Sequence, residues 1–154
     1  EQGTIQKIKI QGCPTIFIQR DLIEKEIKKS DLNSRILSPF DNSIIHRERI
    51  KHFFNFDYRI ECYTPKEKRQ YGYFSLPILF GNQLIGRVDC KAHRKEKQLE
   101  IIHLYIENQN FDIESWAKGF MESIKHFATF NGCESIQLNQ VSPSNLINRL
   151  KQEM

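Results

Sequence analysis

No apolar run in this 154-residue chain approaches the ~20 residues that a membrane-spanning helix needs. The longest early run, Thr15 to Ile18, is too short for the core of a secretory signal. No C-x-x-C pair occurs. The four cysteines stand at 13, 62, 90 and 133, too far apart for zinc-finger spacing. They read as reduced thiols of a cytoplasmic protein, with disulfides as the alternative. The five histidines, at 46, 52, 93, 103 and 126, show neither metal-ligand spacing nor H-E-x-x-H. G-x-S-x-G, a P-loop and G-x-G-x-x-G are all missing, as are internal repeats and low-complexity tracts. A metal site assembled in space from Cys and His stays open. So no cofactor, metal or catalytic residue is expected from these motifs. An initiating Met is missing too: the chain begins at Glu1, which suggests a longer parent polypeptide.

What is present describes a folded domain. Hydrophobic residues make up 39% and charged residues 27%, so the chain can bury a core and is not disordered. The net charge of +4 is mild but uneven. Between Ile44 and Gln70 there are seven Lys/Arg against four acids; between Arg87 and Lys97 there are five against two. Cations gathered in the middle of a chain suit a phosphate-facing surface, and they equally suit two solvated faces.

The periodicity predicts α+β. TIQKIKI (4–10) and TIFI (15–18) read as a hairpin or wing broken by Gly12 and Pro14, with a helix from Asp21 to Lys29. A short strand is expected at 35–41, an amphipathic segment at 43–54, and alternating strands at 57–63 and 71–80, the last with a bulge or edge position at Pro77. Strands at 84–92 and 98–107 complete a meander joined by the tip HRKEK. In the first, Leu84, Gly86, Val88, Cys90 and Ala92 should face the core; Arg87, Asp89 and Lys91 should face outward. FDIESWAKGFMESIKHFATFNG (111–132) is the clearest helix, with Asp112 as N-cap and Gly132 just past its end. A strand at 134–140 and a final helix begun by Ser142-Pro143 follow. The expected architecture is an antiparallel sheet or partial barrel covered on one face by the long helix. Two units are expected, 1–33 and 34–154.

The chemistry-bearing candidates are basic. A two-stranded ribbon with a cationic tip can lie along phosphates, where Lys and Arg position a duplex without reading its sequence. A solvated hairpin tip is the alternative. Lys66, Lys68 and Arg69 beside Tyr71 and Tyr73 could add stacking on bases, although alternating Tyr also suits a half-buried strand. Asp57, Arg59 and Glu61 read as an ion-pair ladder, because an Arg between two carboxylates holds both ionised.

One long ordered pattern goes further. It begins with Ser38-Pro39-Phe40-Asp41 and Arg47-x-Arg49. Tyr58, Arg59, Glu61, Tyr63, Pro65, Lys68, Arg69, Tyr71, Gly72 and Tyr73 follow in register, with Phe56 slightly offset. Leu76-Pro77, Gly86 to Lys91, Arg94 and Lys95 complete it. Over about residues 34–106 this resembles the crosslink-repair DNA glycosylase family (the YcaQ/AlkZ type, winged-helix DNA-binding proteins). Two positions depart: Ile45-His46 stands where the family usually has Trp-Asp, and His93 where an acid is frequent. The resemblance implies a winged-helix remnant over 1–33 and a C-terminal α+β domain over 34–154. It also implies hydrolysis of the N-glycosidic bond of alkylated or crosslinked purines in duplex DNA. The family's Gln-x-Gln or Gln-x-Asp motif belongs to its N-terminal part, and Gln137-Leu-Asn-Gln140 does not match it. The expectation is therefore a monomeric, nucleoid-associated DNA-binding and scaffolding portion, without the catalytic motif. It would contact phosphates through Lys68, Arg69, Arg87, Lys91, Arg94, Lys95 and Lys97. A regulatory or protein-interaction domain without nucleic-acid binding is the alternative.

Overall fold

The computed structural model describes residues 5–25 and 33–154. Strands β1 (Ile5–Ile8) and β2 (Ile16–Gln19) pair antiparallel, Ile5 with Gln19 and Ile8 with Ile16, so the expected hairpin forms. Helix α1 (Arg20–Glu24) follows at once. The rest of the helix expected up to Lys29 lies outside the described residues.

The main sheet has five strands in chain order: β3 (Ser34–Ile36), β4 (Ser75–Phe80), β5 (Gln83–His93), β6 (Gln98–Ile106) and β7 (Ser135–Ser142). The meander of β3 to β6 is antiparallel, whereas β7 runs parallel to β6. A parallel neighbour needs a crossover, and helix α3 (Ile113–Phe130) supplies it. Its stripe of Trp116, Ala117, Phe120, Met121, Ile124 and Ala128 is buried against Leu76, Ile78, Val88, Leu99, Ile101 and Leu104. Each large apolar side chain buried in this way stabilises the fold by about 1.5–3 kcal/mol.

Both ends of α3 are set by local chemistry. The Asp112 carboxylate accepts from the Ser115 amide at 3.1 Å. At the other end Gly132 has φ +76°, its amide donates to Thr129 O, and the Cys133 amide donates to Ala128 O. This is the double closure that a left-handed residue after a helix permits.

Five expectations are corrected. Residues 57–63 form no strand: Phe56 and Tyr58 are buried as expected of alternation, but the segment has no ladder partner and turns at Cys62. The 71–80 strand begins only at Ser75, and the one at 35–41 spans Ser34–Ile36. Leu84 faces away from Val88. Leu79 pairs with Leu84 while Ile78 pairs with Gly86, so Ile85 is an extra residue that reverses the alternation. Ile85 enters the main core, and Leu84 joins a second cluster. The bulge is in β5, opposite Ile78 and Leu79, whereas Pro77 itself stays in register with Arg87 in an interior strand. Finally, Ser142 does not cap the last helix. It is still paired in β7, opposite Tyr105, and α4 (Ile147–Gln152) is preceded by a short turn from Ser144 to Leu146.

The sheet is covered on both sides. Helix α2 (Arg47–Phe54) ends at Asn55, which has φ +49°. Its Ile50 packs with Ile44, Phe56, Tyr58 and Leu84 on the face opposite α3. This smaller core anchors the irregular segment 55–74 over one end of β5 and β6, and that segment shapes the basic surface.

Candidate nucleic-acid interface

The face of β5 opposite α3 carries Arg87, Asp89, Lys91 and His93, because Val88, Cys90 and Ala92 pack into the main core. Strand alternation alone would expose all four. The segment 55–74 changes this by folding over the first two.

Arg87 is 1% exposed. Its Nε donates to Glu107 Oε1 at 2.6 Å, and its Nη2 donates to the Asp57 carbonyl at 2.8 Å. Its guanidinium lies 3.8 Å from the Tyr71 ring centre, 4.7 Å from Phe56 and 5.8 Å from Tyr58. Arg87 therefore leaves the expected set of phosphate contacts: its charge and donors are taken up inside the protein. The Tyr58 hydroxyl, donating to Ser75 O at 2.9 Å, is pushed up to about 12 by burial, against the opposing pull of Arg87 and Arg47.

Asp89 and Glu61 hold the loop down. The Phe74 amide donates to Asp89 Oδ1 at 3.2 Å. Burial raises the Asp89 carboxyl above its ordinary value, despite backbone amides and the nearby Arg69. Glu61 is the opposite case. Burial pushes it up, but the amides of Gln70, Tyr71 and Gly72 donate to it at 2.7 to 3.1 Å and hold it below the ordinary value. The expected ladder of Asp57, Arg59 and Glu61 is thus replaced by a carboxylate that organises a turn. Because its folded-state value is lowered, the stability that Glu61 contributes is present above its unfolded value and is lost as pH falls through the folded one. Glu61→Gln should lower stability by about 2 kcal/mol near neutral pH, the scale of hydrogen bonds to a charged group. It should also flatten the acid limb of a pH–stability curve measured by urea unfolding.

The other expected contacts divide. Arg69 is half-buried: its Nε donates to Thr64 O at 2.8 Å and its guanidinium lies 4.8 Å over Tyr73. Lys97, at φ +51° in the turn, pairs with Glu134 at 2.6 Å. Both partners are well exposed, so this pair contributes little and can be exchanged for a phosphate. Lys68, Lys91, Arg94 and Lys95 are exposed and make no ion pair with the described residues. Lys91 sits across from Glu100, whose carboxylate takes the His93 ring at 2.7 Å and the Asn139 amide at 2.7 Å. The His93 hydrogen bond is the first of the causes that hold Glu100 below its ordinary value. The predicted cations therefore do not form an unbroken positive wall: Arg87 is buried, Arg69 half-buried and Lys97 paired.

Farther along β6, His103 stacks on Tyr105 with ring centres 3.6 Å apart and bonds Ser142 Oγ at 2.7 Å. Burial lowers its pKa, which favours the neutral ring. The Tyr105 hydroxyl donates to Gln70 O at 3.1 Å, a further tie between loop and sheet. The four cysteines are free thiols, and burial pushes the Cys90 thiol up, which keeps it unreactive. Among the described residues, no group of three or more His, Cys, Asp or Glu is placed to hold a metal ion.

Sequence reasoning missed one feature. Arg47, Arg59 and Arg87, with Asp57, Glu61, Tyr58, Gln70 and Tyr71, line a cleft of about 470 Å³ beside the loop. The arginines come from α2, the irregular segment and β5, so no local spacing announced them as a group.

The fold matches a solved structure, a Streptomyces sahachiroi DNA glycosylase AlkZ, with a TM-score of 0.50 and 13% sequence identity. The match covers 89% of this chain and 33% of that one, so the chain spans about a third of the length of that structure. At that identity the likeness speaks for the fold. The family evidence comes from the sequence: the model of the family described as "DNA glycosylase AlkZ-like" matches residues 1–129. This chain belongs to the AlkZ-like DNA glycosylase family.

Proposed function

We propose that this chain is the C-terminal DNA-binding and scaffolding portion of a DNA glycosylase that removes alkylated or crosslinked purines from duplex DNA. In this reading residues 1–33 are the end of a winged-helix unit, and the base-releasing groups belong to N-terminal domains of the same polypeptide. The chain works in the cytoplasm on the nucleoid, as a monomer. One observation carries the reading: Lys68, Lys91, Arg94 and Lys95 stand exposed, without carboxylate partners among the described residues, on a β-ribbon and the loop beside it. Such cations fix a duplex through its phosphates and leave sequence unread. The β1–β2 hairpin followed by α1 is consistent with the wing of such a unit.

The test is a salt titration of binding to undamaged duplex DNA. Each neutralised phosphate contributes about −0.9 to the slope of log K against log salt, so four contacts give a slope of about −3.6. Arg94→Gln with Lys95→Gln should reduce its magnitude by about 1.8. A slope near zero would instead favour a domain that contacts protein and has no nucleic-acid role.

A further inference from the structure

The cleft of Arg47, Arg59 and Arg87 lies on the same side of the sheet as Lys91, its floor at the middle of β5, six residues back from His93 where the hairpin tip begins. Arg87 forms its buried floor, already neutralised by Glu107. Arg47 and Arg59 are exposed and make no ion pair with the described residues. Of the two acidic residues that line the cleft, Glu61 is turned onto the amides of residues 70–72, which leaves Asp57 as the other. Arg47 also begins α2, whose N-terminus has no side-chain cap. Two free guanidinium forks beside an uncapped helix start form a receptor for a tetrahedral oxyanion.

The geometry points to a second, separate phosphate contact: Arg47 and Arg59 together grip one backbone phosphate of the same duplex that the hairpin tip touches. This inference rests on the DNA-binding reading and adds a footprint to it. From Arg87 to His93 the strand rises about 20 Å at ~3.3 Å per residue. Along a duplex that is about six base pairs at 3.4 Å each. Lys91 lies on the strand between the two, on the same face as Arg87. The domain thus holds duplex DNA at two anchors about half a helical turn apart, with its polar β-face spanning the interval.

The experiment compares wild type, Arg47→Gln/Arg59→Gln and Arg94→Gln/Lys95→Gln in the same salt titration, on a 14-base-pair duplex. Arg47 and Arg59 are exposed, so thermal melting should show their double variant folded. One phosphate shared by two arginines predicts a slope smaller in magnitude by about 0.9 in that variant, and a three- to tenfold weaker affinity at low salt. Combining all four substitutions should remove about 2.7 from the slope. A wild-type slope near zero overturns DNA binding and this cleft together. A wild-type slope of −3 or steeper, unchanged by Arg47→Gln/Arg59→Gln, overturns the cleft alone and leaves the tip contact standing.

Discussion

Replacing Arg87 with alanine is expected to cost about 4 kcal/mol of stability, enough to lower the melting temperature of a chain this size by roughly 8–16 °C. The side chain is buried, and it ties the irregular segment, through the Asp57 carbonyl, to β5 and to Glu107 just past the end of β6. Three aromatic rings surround its guanidinium. Removing the side chain takes the donor from the Asp57 carbonyl, loses desolvated cation–π contacts of up to ~2 kcal/mol, and leaves a void under the loop. Glu107 is about a third exposed and can rehydrate, which keeps the loss below the top of the range for buried pairs. Arg87→Met should cost less than alanine, because it fills the space and removes the charge. Arg87→Lys should still be damaging, because a single ammonium cannot span Glu107 and Asp57 while lying flat against Tyr71. Urea unfolding of the three variants gives the ranking. If Arg87→Ala costs under 1 kcal/mol, the buried arginine is not what pins the loop.

Gly86→Ala should be as damaging or more so, by about 4 kcal/mol or beyond. A Cβ at position 86 would fall inside the van der Waals envelope of the Tyr105 carbonyl oxygen and press on Ile106 Cα. These are backbone atoms of the neighbouring strand, so no rotamer change can relieve the clash; β5 and β6 would have to separate where Gly86 pairs with Ile106. Overpacking against flexible side chains costs about 1–3 kcal/mol, and a rigid ladder sits above that range. Against a total stability of about 5–15 kcal/mol this removes a large share of the margin, and the melting temperature should fall by roughly 8–16 °C or more. A circular-dichroism melt checks this, with Gly132→Ala as comparison. Gly132 has nothing within reach of a new Cβ, so its penalty comes from φ +76° alone and should be about 1 kcal/mol.

How much of this could be read beforehand depended on whether the signal was local. The long helix was legible because a stripe, an Asp N-cap and a Gly past the end all lie within 111–132, and each acts on its own neighbours. The meander was legible because β4, β5 and β6 are joined by short turns at Gly81-Asn82 and at residues 94–97. The parallel direction of β7 was not, because it depends on where α3 delivers the chain. The 57–63 segment misled because alternation reports which side chains are buried and says nothing of ladder partners. Phe56 and Tyr58 are indeed buried, against α2 and Leu84. For the candidate site, exposure was legible at the tip, where Arg94 and Lys95 have no room to be covered. It was not legible at Arg87, where a loop 15 to 30 residues upstream closes over the strand. The same long-range closure gathered Arg47 and Arg59 near Arg87.

The parallel seam between β6 and β7 also bears on how the chain reaches its native state. His93 meets Gln98 after a five-residue separation, whereas Gln98 meets Ser135 across 37 residues that include all of α3. Hairpins form in microseconds, but a crossover must close a long loop before any pairing rewards it. The β4–β5 and β5–β6 hairpins therefore assemble first and leave the far edge of β6 unsatisfied until α3 has coiled and delivered its partner. A slow step of folding lies at that edge, as it does at the β3–β4 pairing across 42 to 46 residues, and so does a window in which a second chain could pair there by mistake.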